Sequence, residues 1–178
     1  IKIPTLCYLR GVNEIGSCRV CVVEIEGSQR LSAACNTVVA EGMVVHTNSA
    51  RVRQARKHNI EMILSQHNCH CPTCLRSGNC SLQKMANNLN IYNLDYDTKV
   101  DEFNWDMSFP LIRDNSKCIK CLRCVTVCEK IQGIGVWEVN STGANMRITT
   151  RDGLNIKDTN CTLCGQCITH CPVGALRE

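Results

Sequence analysis

Apolar residues recur along this chain with two periods, and the change of period marks its elements. Val52, Ala55, Ile60, Ile63 and Leu64 fall within about half the circumference of a helix at roughly 100° per residue, which predicts a helix over residues 49–66. Leu82, Met85, Ala86 and Leu89 repeat at i, i+3, i+4 and i+7 and predict a second, amphipathic helix. Residues 20–26 are β-branched and loosely alternating, so they read as a strand, with a further strand at 43–46. Segments 135–139 and 146–150 read as two strands around a turn at 140–144. No run approaches ~20 consecutive apolar residues, so no transmembrane helix is predicted. The start lacks the basic-then-apolar pattern of a secretory signal, and none is expected.

Composition changes this picture. The chain has 178 residues, of which 16 are cysteine, and aromatics make up only 4%. The 44% hydrophobic content includes those cysteines, and the 20% of charged residues is not that of a disordered chain. Without the cysteines there is little from which to build one large core. Several small units, each organised by something bound to cysteine, are the expected arrangement. The abrupt opening at Ile1, one short extended piece before Cys7, reads as part of a longer polypeptide.

The cysteines fall into four groups of four: Cys7, Cys18, Cys21, Cys35; Cys69, Cys71, Cys74, Cys80; Cys118, Cys121, Cys124, Cys128; and Cys161, Cys164, Cys167, Cys171. Cys-x-x-Cys recurs six times. Two thiols so close in sequence point readily at one bound centre from a tight loop but pair poorly as a structural disulfide. Zinc is the plain alternative, yet zinc sites join two pairs, whereas two groups here run C-x2-C-x2-C-x3-C.

That run, at 118–128 and again at 161–171 with Pro172 following, is the bacterial ferredoxin pattern for two 4Fe–4S clusters, in which the fourth cysteine of each run serves the other cluster. One cluster is expected on Cys118, Cys121, Cys124 and Cys171, and the other on Cys128, Cys161, Cys164 and Cys167. The first run has Glu129 where the second has the proline.

The first group resembles a plant-type 2Fe–2S loop with a wider first gap, and assigns a 2Fe–2S cluster to Cys7, Cys18, Cys21 and Cys35. Gly11 and Gly16 suit a loop that wraps an anionic cluster with backbone N–H groups. The hairpin and helix that precede the first cysteine of a β-grasp ferredoxin are not in this sequence, so the domain is expected to be truncated. In the second group the predicted helix delivers His67, followed by Cys71, Cys74 and Cys80, the last at the positive end of the second helix. A 4Fe–4S cluster on His67, Cys71, Cys74 and Cys80 is the expected assignment. Cys69 as the fourth ligand is the cramped alternative, and His70 lies too close to Cys71 to reach comfortably.

The formal charge of +4 and pI of about 8.3 count thiols as neutral. Fifteen ligating thiolates remove fifteen units and four clusters with 2+ cores return eight, leaving a balance of about −3. With no aromatic stacking platforms either, nucleic-acid binding is not expected. Many thiolates and oxygen-sensitive clusters point to a reducing cytoplasm, in an anaerobe.

The order of motifs resembles the N-terminal electron-transfer region of iron-only (FeFe) hydrogenases, most closely the large subunit of NAD-linked, electron-bifurcating types. Three stretches carry the likeness: Ile3-Pro4-Thr5-Leu6-Cys7-Tyr8, Gly16-Ser17-Cys18-Arg19-Val20-Cys21-Val22-Val23-Glu24 and Cys128-Glu129-Lys130-Ile131-Gln132-Gly133. The resemblance implies an α+β chain in three units: a truncated β-grasp 2Fe–2S domain at 1–48, a helical 4Fe–4S segment with one His and three Cys ligands at 49–100, and a two-cluster 4Fe–4S ferredoxin domain at 101–178. It implies an oxidoreductase in a hetero-oligomer. Its partners would be a flavin (FMN) and Fe–S subunit that oxidises NADH, a small 2Fe–2S subunit and soluble ferredoxin. The hydrogen-activating H-cluster would sit in a C-terminal domain beyond Glu178, so no catalytic residue is assigned here. NAD-dependent molybdopterin formate dehydrogenases and the large subunit of NADH dehydrogenase share this region and are the alternatives, with a zinc-binding structural module as the rival of another class.

Overall fold

The computed structural model describes residues 1–101 and 104–178. A small antiparallel sheet grows out of the loop holding Cys18 and Cys21. Its central strand β1 (Val22–Ile25) lies between β2 (Ser32–Ala33) and β3 (Val45–His46), with Val22 opposite Ala33 and Glu24 opposite His46. Val22, Val23 and Ala33 are buried, whereas both residues of β3 are exposed. The strand is shorter than the sequence suggests because Val20 and Cys21, although buried, belong to the loop.

Helix α1 (Ala50–Leu64) packs on β1. Ser49 caps it, its hydroxyl oxygen accepting from the Val52 N–H at 3.3 Å. Val52, Ile60 and Leu64 face inward as the apolar stripe predicts. The stripe gives no hint of Arg56, which is only 7% exposed in the middle of that face. Its guanidinium donates to the carbonyls of Val20 at 2.9 Å, Val22 at 3.1 Å and Thr47 at 3.3 Å. Five rigid donors let a buried cation satisfy the loose carbonyls of an irregular sheet end, where an aliphatic residue would leave them dry. Glu61, also buried, is paired with Lys57 at 3.7 Å and His58 at 3.3 Å.

Helix α2 (Ser81–Asn88) starts directly after Cys80 and buries Leu82 and Ala86. After β4 (Ile112–Arg113) comes α3 (Arg123–Lys130), then the antiparallel hairpin of β5 (Trp137–Asn140) and β6 (Arg147–Thr150), then α4 (Gln166–His170). The last strand, β7 (Leu176–Arg177), returns to pair antiparallel with β4. The hairpin begins two residues later than the sequence suggests because Gly135 adopts φ +65°, outside strand geometry, and a Cβ there would meet the Arg151 guanidinium at 2.8 Å. Helices α3 and α4 pack together over a core that includes Val136, Trp137, Ile156, Val173 and Leu176. Trp105 stacks on Trp137 with centroids 5.9 Å apart, so both tryptophans serve this one core.

Candidate metal centres

The two C-x2-C-x2-C-x3-C runs fold alike. Lys120 (φ +54°) and Leu122 (φ +62°) flank Cys121, and Leu163 (φ +55°) and Gly165 (φ +69°) flank Cys164. In each run the second of these left-handed residues caps a helix whose second residue is the third cysteine, Cys124 in α3 and Cys167 in α4. Left-handed backbone costs a non-glycine residue ~1–2 kcal/mol, so Lys120, Leu122 and Leu163 hold a conformation that the surrounding packing must sustain. The helix then sets the fourth cysteine out of reach of its own loop. Because α3 lies against α4, Cys171 joins Cys118, Cys121 and Cys124 around one cavity, while Cys128 joins Cys161, Cys164 and Cys167 around another.

Burial pushes the Cys121 thiol up to about 12 and Cys167 up to about 11, with neighbouring thiols adding to the rise. Burial also raises Cys124 and Cys171. Four thiolates in so dry a space repel one another unless a cation stands between them. Local donors favour sulfur anions: the Val136 N–H lies 3.2 Å from Cys128 Sγ, and Arg113, 5.1 Å above the Trp137 ring, places a guanidinium nitrogen 3.4 Å from Cys118 Sγ. This soft donor set fits an iron–sulfur cluster. Among the described residues no three His, Cys, Asp or Glu side chains converge closely enough to chelate a single ion.

In the first group Cys7, Cys18 and Cys21 are buried and Cys35 is half-buried. The Cys7 thiol, hydrogen-bonded to Cys18, holds the latter down at about 5, and the same contact together with burial raises Cys7. Burial and then Cys21 push Cys35 up to about 11. Gly16 (φ +65°) passes so close to Asn36 that a Cβ would stand 3.0 Å from its amide nitrogen. Cys21 and Cys35 open onto a cavity also lined by Ile3, Thr5, Tyr8 and Ala34.

In the second group a cavity of about 260 Å³ is lined by His67, Cys69, Cys71 and Cys80, with Leu82 and Ala86 of α2 among its apolar walls. Cys80 is the residue that caps α2. Cys74 does not line this cavity; its sulfur lies against Gly174. His67 is 8% exposed, and burial lowers its basicity, which favours the neutral imidazole that binds metals. Its buried Nδ1 has no hydrogen-bond partner, an orphaned donor or acceptor of the kind a metal relieves. Cys69 is exposed, and its thiol points to the His67 carbonyl at 3.3 Å. His70 is exposed and does not line the cavity.

Residues that sequence reasoning missed join these sites. Asn13 is fully buried, and its amide donates to the Cys7 carbonyl at 2.7 Å and the Cys121 carbonyl at 2.9 Å. Arg123 reaches the carbonyls of Cys7 (3.2 Å), Tyr8 (3.0 Å) and His170 (3.3 Å). On the other side the Ser81 N–H donates to the Pro172 carbonyl at 3.1 Å, and Asn68 N–H to Ser116 carbonyl at 2.7 Å. The cavity of Cys118, Cys121, Cys124 and Cys171 is therefore fastened to the first group, to the second group and, through α3 and α4, to the fourth. These ties run between residues up to 116 positions apart, which no local pattern announces.

No helix among the described residues is long and apolar enough to cross a membrane. Residues 1–50 match the 2Fe-2S iron-sulfur cluster binding domain, residues 56–94 the NADH-ubiquinone oxidoreductase-G iron-sulfur binding region, and residues 117–175 the 4Fe-4S dicluster domain. The NADP-reducing hydrogenase subunit HndD of Solidesulfovibrio fructosivorans is 44% identical over 184 residues, a stretch that takes in 100% of this chain and 32% of that protein. The NADPH-Fe(3+) oxidoreductase subunit alpha of Geobacter sulfurreducens is 38% identical over 99% of this chain and 21% of its own length. The chain thus spans about a third or less of these two relatives. A crystal structure of NAD+-reducing [NiFe]-hydrogenase in the H2-reduced state superposes with a TM-score of 0.90 at 30% identity, covering 99% of this chain and 75% of that one. These relatives are oxidoreductase subunits. The chain belongs to their family, as the N-terminal iron–sulfur, electron-transfer region of a subunit like the NADH-ubiquinone oxidoreductase G subunit and its counterparts in NAD(P)-linked hydrogenases.

Proposed function

We propose that this chain is a four-cluster electron relay in an iron-only hydrogenase subunit of an electron-bifurcating complex linked to NAD or NADP and ferredoxin. Units 1–48, 49–100 and 101–178 carry one 2Fe–2S and three 4Fe–4S clusters. The ligands are Cys7, Cys18, Cys21 and Cys35; His67, Cys71, Cys74 and Cys80; Cys118, Cys121, Cys124 and Cys171; and Cys128, Cys161, Cys164 and Cys167. The observation that carries this reading is the crossed gathering of the last eight cysteines around two adjacent cavities. The fourth cysteine of each run lining the other run's cavity favours clusters, since a zinc site joins two local pairs.

When bound, the clusters supply one-electron carriage. The chain's own residues fix their spacing, exclude water and tune their charge environment. Asn13, Arg123 and the Ser81–Pro172 contact make the cavity of Cys118, Cys121, Cys124 and Cys171 the meeting point of the relay. Clusters held there would link the first two groups to the fourth, in either direction of electron flow. The catalytic end of the relay would be an H-cluster domain elsewhere in the full polypeptide, a reading in keeping with the relative named as an NADP-reducing hydrogenase subunit. FMN and NAD sit on partner subunits in a cytoplasmic hetero-oligomer.

The test is anaerobic iron and sulfide analysis with paramagnetic resonance of the dithionite-reduced chain. About 14 irons and four distinct signals are expected, two or more of them magnetically coupled. A colourless protein with stoichiometric zinc would end the proposal.

A further inference from the structure

The second group offers one donor more than a 4Fe–4S cluster needs. His67, Cys69, Cys71 and Cys80 line one cavity, and Cys74 stands beside it against Gly174. Resting on the His-ligated reading given above, we propose that Cys69 is a reserve ligand of this centre, its sulfur taking the place of the His67 imidazole on the same iron.

Two independent observations meet here. The His67 ring is 8% exposed, lines the cavity and has an unpartnered Nδ1, so the cavity is built for something that imidazole can bind. Cys69 lines the same cavity with only Asn68 between it and His67, and its thiol is held by nothing stronger than S–H contacts to the carbonyls of His67 at 3.3 Å and Leu64 at 3.9 Å. Thiols are weak donors, so these contacts yield easily to an iron–sulfur bond. The backbone around the thiol is fixed: the Asn68 N–H donates to Ser116 carbonyl at 2.7 Å, the Cys71 N–H to Cys69 carbonyl at 2.7 Å, and the His70 N–H to the Asn68 side chain at 3.1 Å. Position 69 is thereby held at the cavity.

The exchange balances without an oxidant. One iron–nitrogen bond would break and one iron–sulfur bond would form, and the proton of the Cys69 thiol would pass to the solvent that reaches this exposed residue. An anionic ligand then replaces a neutral one, which gives the centre a second, lower potential.

The experiment compares iron content and nitrogen couplings, by pulsed paramagnetic resonance, in the anaerobically purified full-length protein and three variants. The wild type and Cys69→Ala should carry equal iron and show imidazole nitrogen coupling on one cluster. His67→Ala should keep all its iron and lose that coupling. The double variant should lose four irons while the other centres' signals persist. His67→Gln repeats the test in a side chain nearer the ring's bulk if the alanine variant does not accumulate. Loss of four irons in both single His67 variants would overturn the reserve role, as would full iron in the double variant. Loss of four irons in Cys69→Ala, with no nitrogen coupling in the wild type, would instead overturn the His67 ligation on which the proposal rests.

Discussion

A Cβ built on Gly174 would stand 2.7 Å from the sulfur of Cys74. Gly174 follows Cys171 and Pro172, so one short stretch of chain closes the two-helix unit and also lies against the Cys74 sulfur of the second group. The Pro172 carbonyl accepts from Ser81 N–H at the start of α2, which fastens the same stretch a second time. Cys74 and Cys171, 97 residues apart in sequence, are thus brought near one another by this stretch.

Gly174→Ala should displace Cys74. Its backbone conformation is open to alanine, so the penalty is purely one of space. We expect the variant to lose up to four irons, or to show one altered cluster signal, while the remaining signals hold. Unchanged spectra would show that the Cys74 sulfur moves aside freely.

Asn13→Ala removes the Cys121 carbonyl's side-chain donor and one of the two on the Cys7 carbonyl, which keeps Arg123. The expected destabilisation is ~2–3 kcal/mol, read as a lower urea midpoint of the anaerobic holoprotein. Asn13→Asp should be worse, because a carboxylate there would bring an acceptor oxygen against two carbonyl oxygens.

Arg56→Met keeps the apolar stem but abandons three carbonyls. About 3 kcal/mol of stability should go with it. Arg56→Lys should not restore the loss, since one ammonium cannot span the spread that a guanidinium covers. Equal denaturation midpoints for wild type and both variants would refute this account.

Arg113→Gln removes a positive charge that lies 3.4 Å from Cys118 Sγ. A nearby cation favours the reduced, more negative state, so its removal should lower one midpoint potential by something on the order of 50 mV in a redox titration. A rise, or no change in any centre, would contradict the assignment of Cys118 to a cluster.

His67→Cys should retain a cluster and lower its potential, since a thiolate adds the negative charge that neutral imidazole lacks. An unaltered midpoint would mean that His67 is not bound.

Much of this arrangement is legible in the sequence because it is local. The stripe Val52, Ile60, Leu64 and the stripe Leu82, Ala86 each need one helix face; the first helix forms within two residues of the expected limits, and the second carries its stripe as far as Ala86, ending at Asn88 just before Leu89. The turn between β5 and β6 was readable from its short polar residues. Arg56 was not readable: its burial depends on carbonyls left unpaired at the end of a different element, and a hydrophobic pattern counts it as surface.

The sequence by itself determined which residues are candidate donors, since thiol spacing within a run is a property of a short loop and needs no knowledge of the rest. It also determined the duplication, which the matching left-handed residues around Cys121 and Cys164 repeat in the backbone. Only the tertiary structure decided how the groups stand to one another. Asn13 on Cys121, Arg123 on Cys7 and Gly174 on Cys74 are contacts between distant stretches, set by the docking of whole helices and loops. Such contacts depend on where buried carbonyls and sulfurs end up in space, and the order of residues along a chain does not carry that information locally.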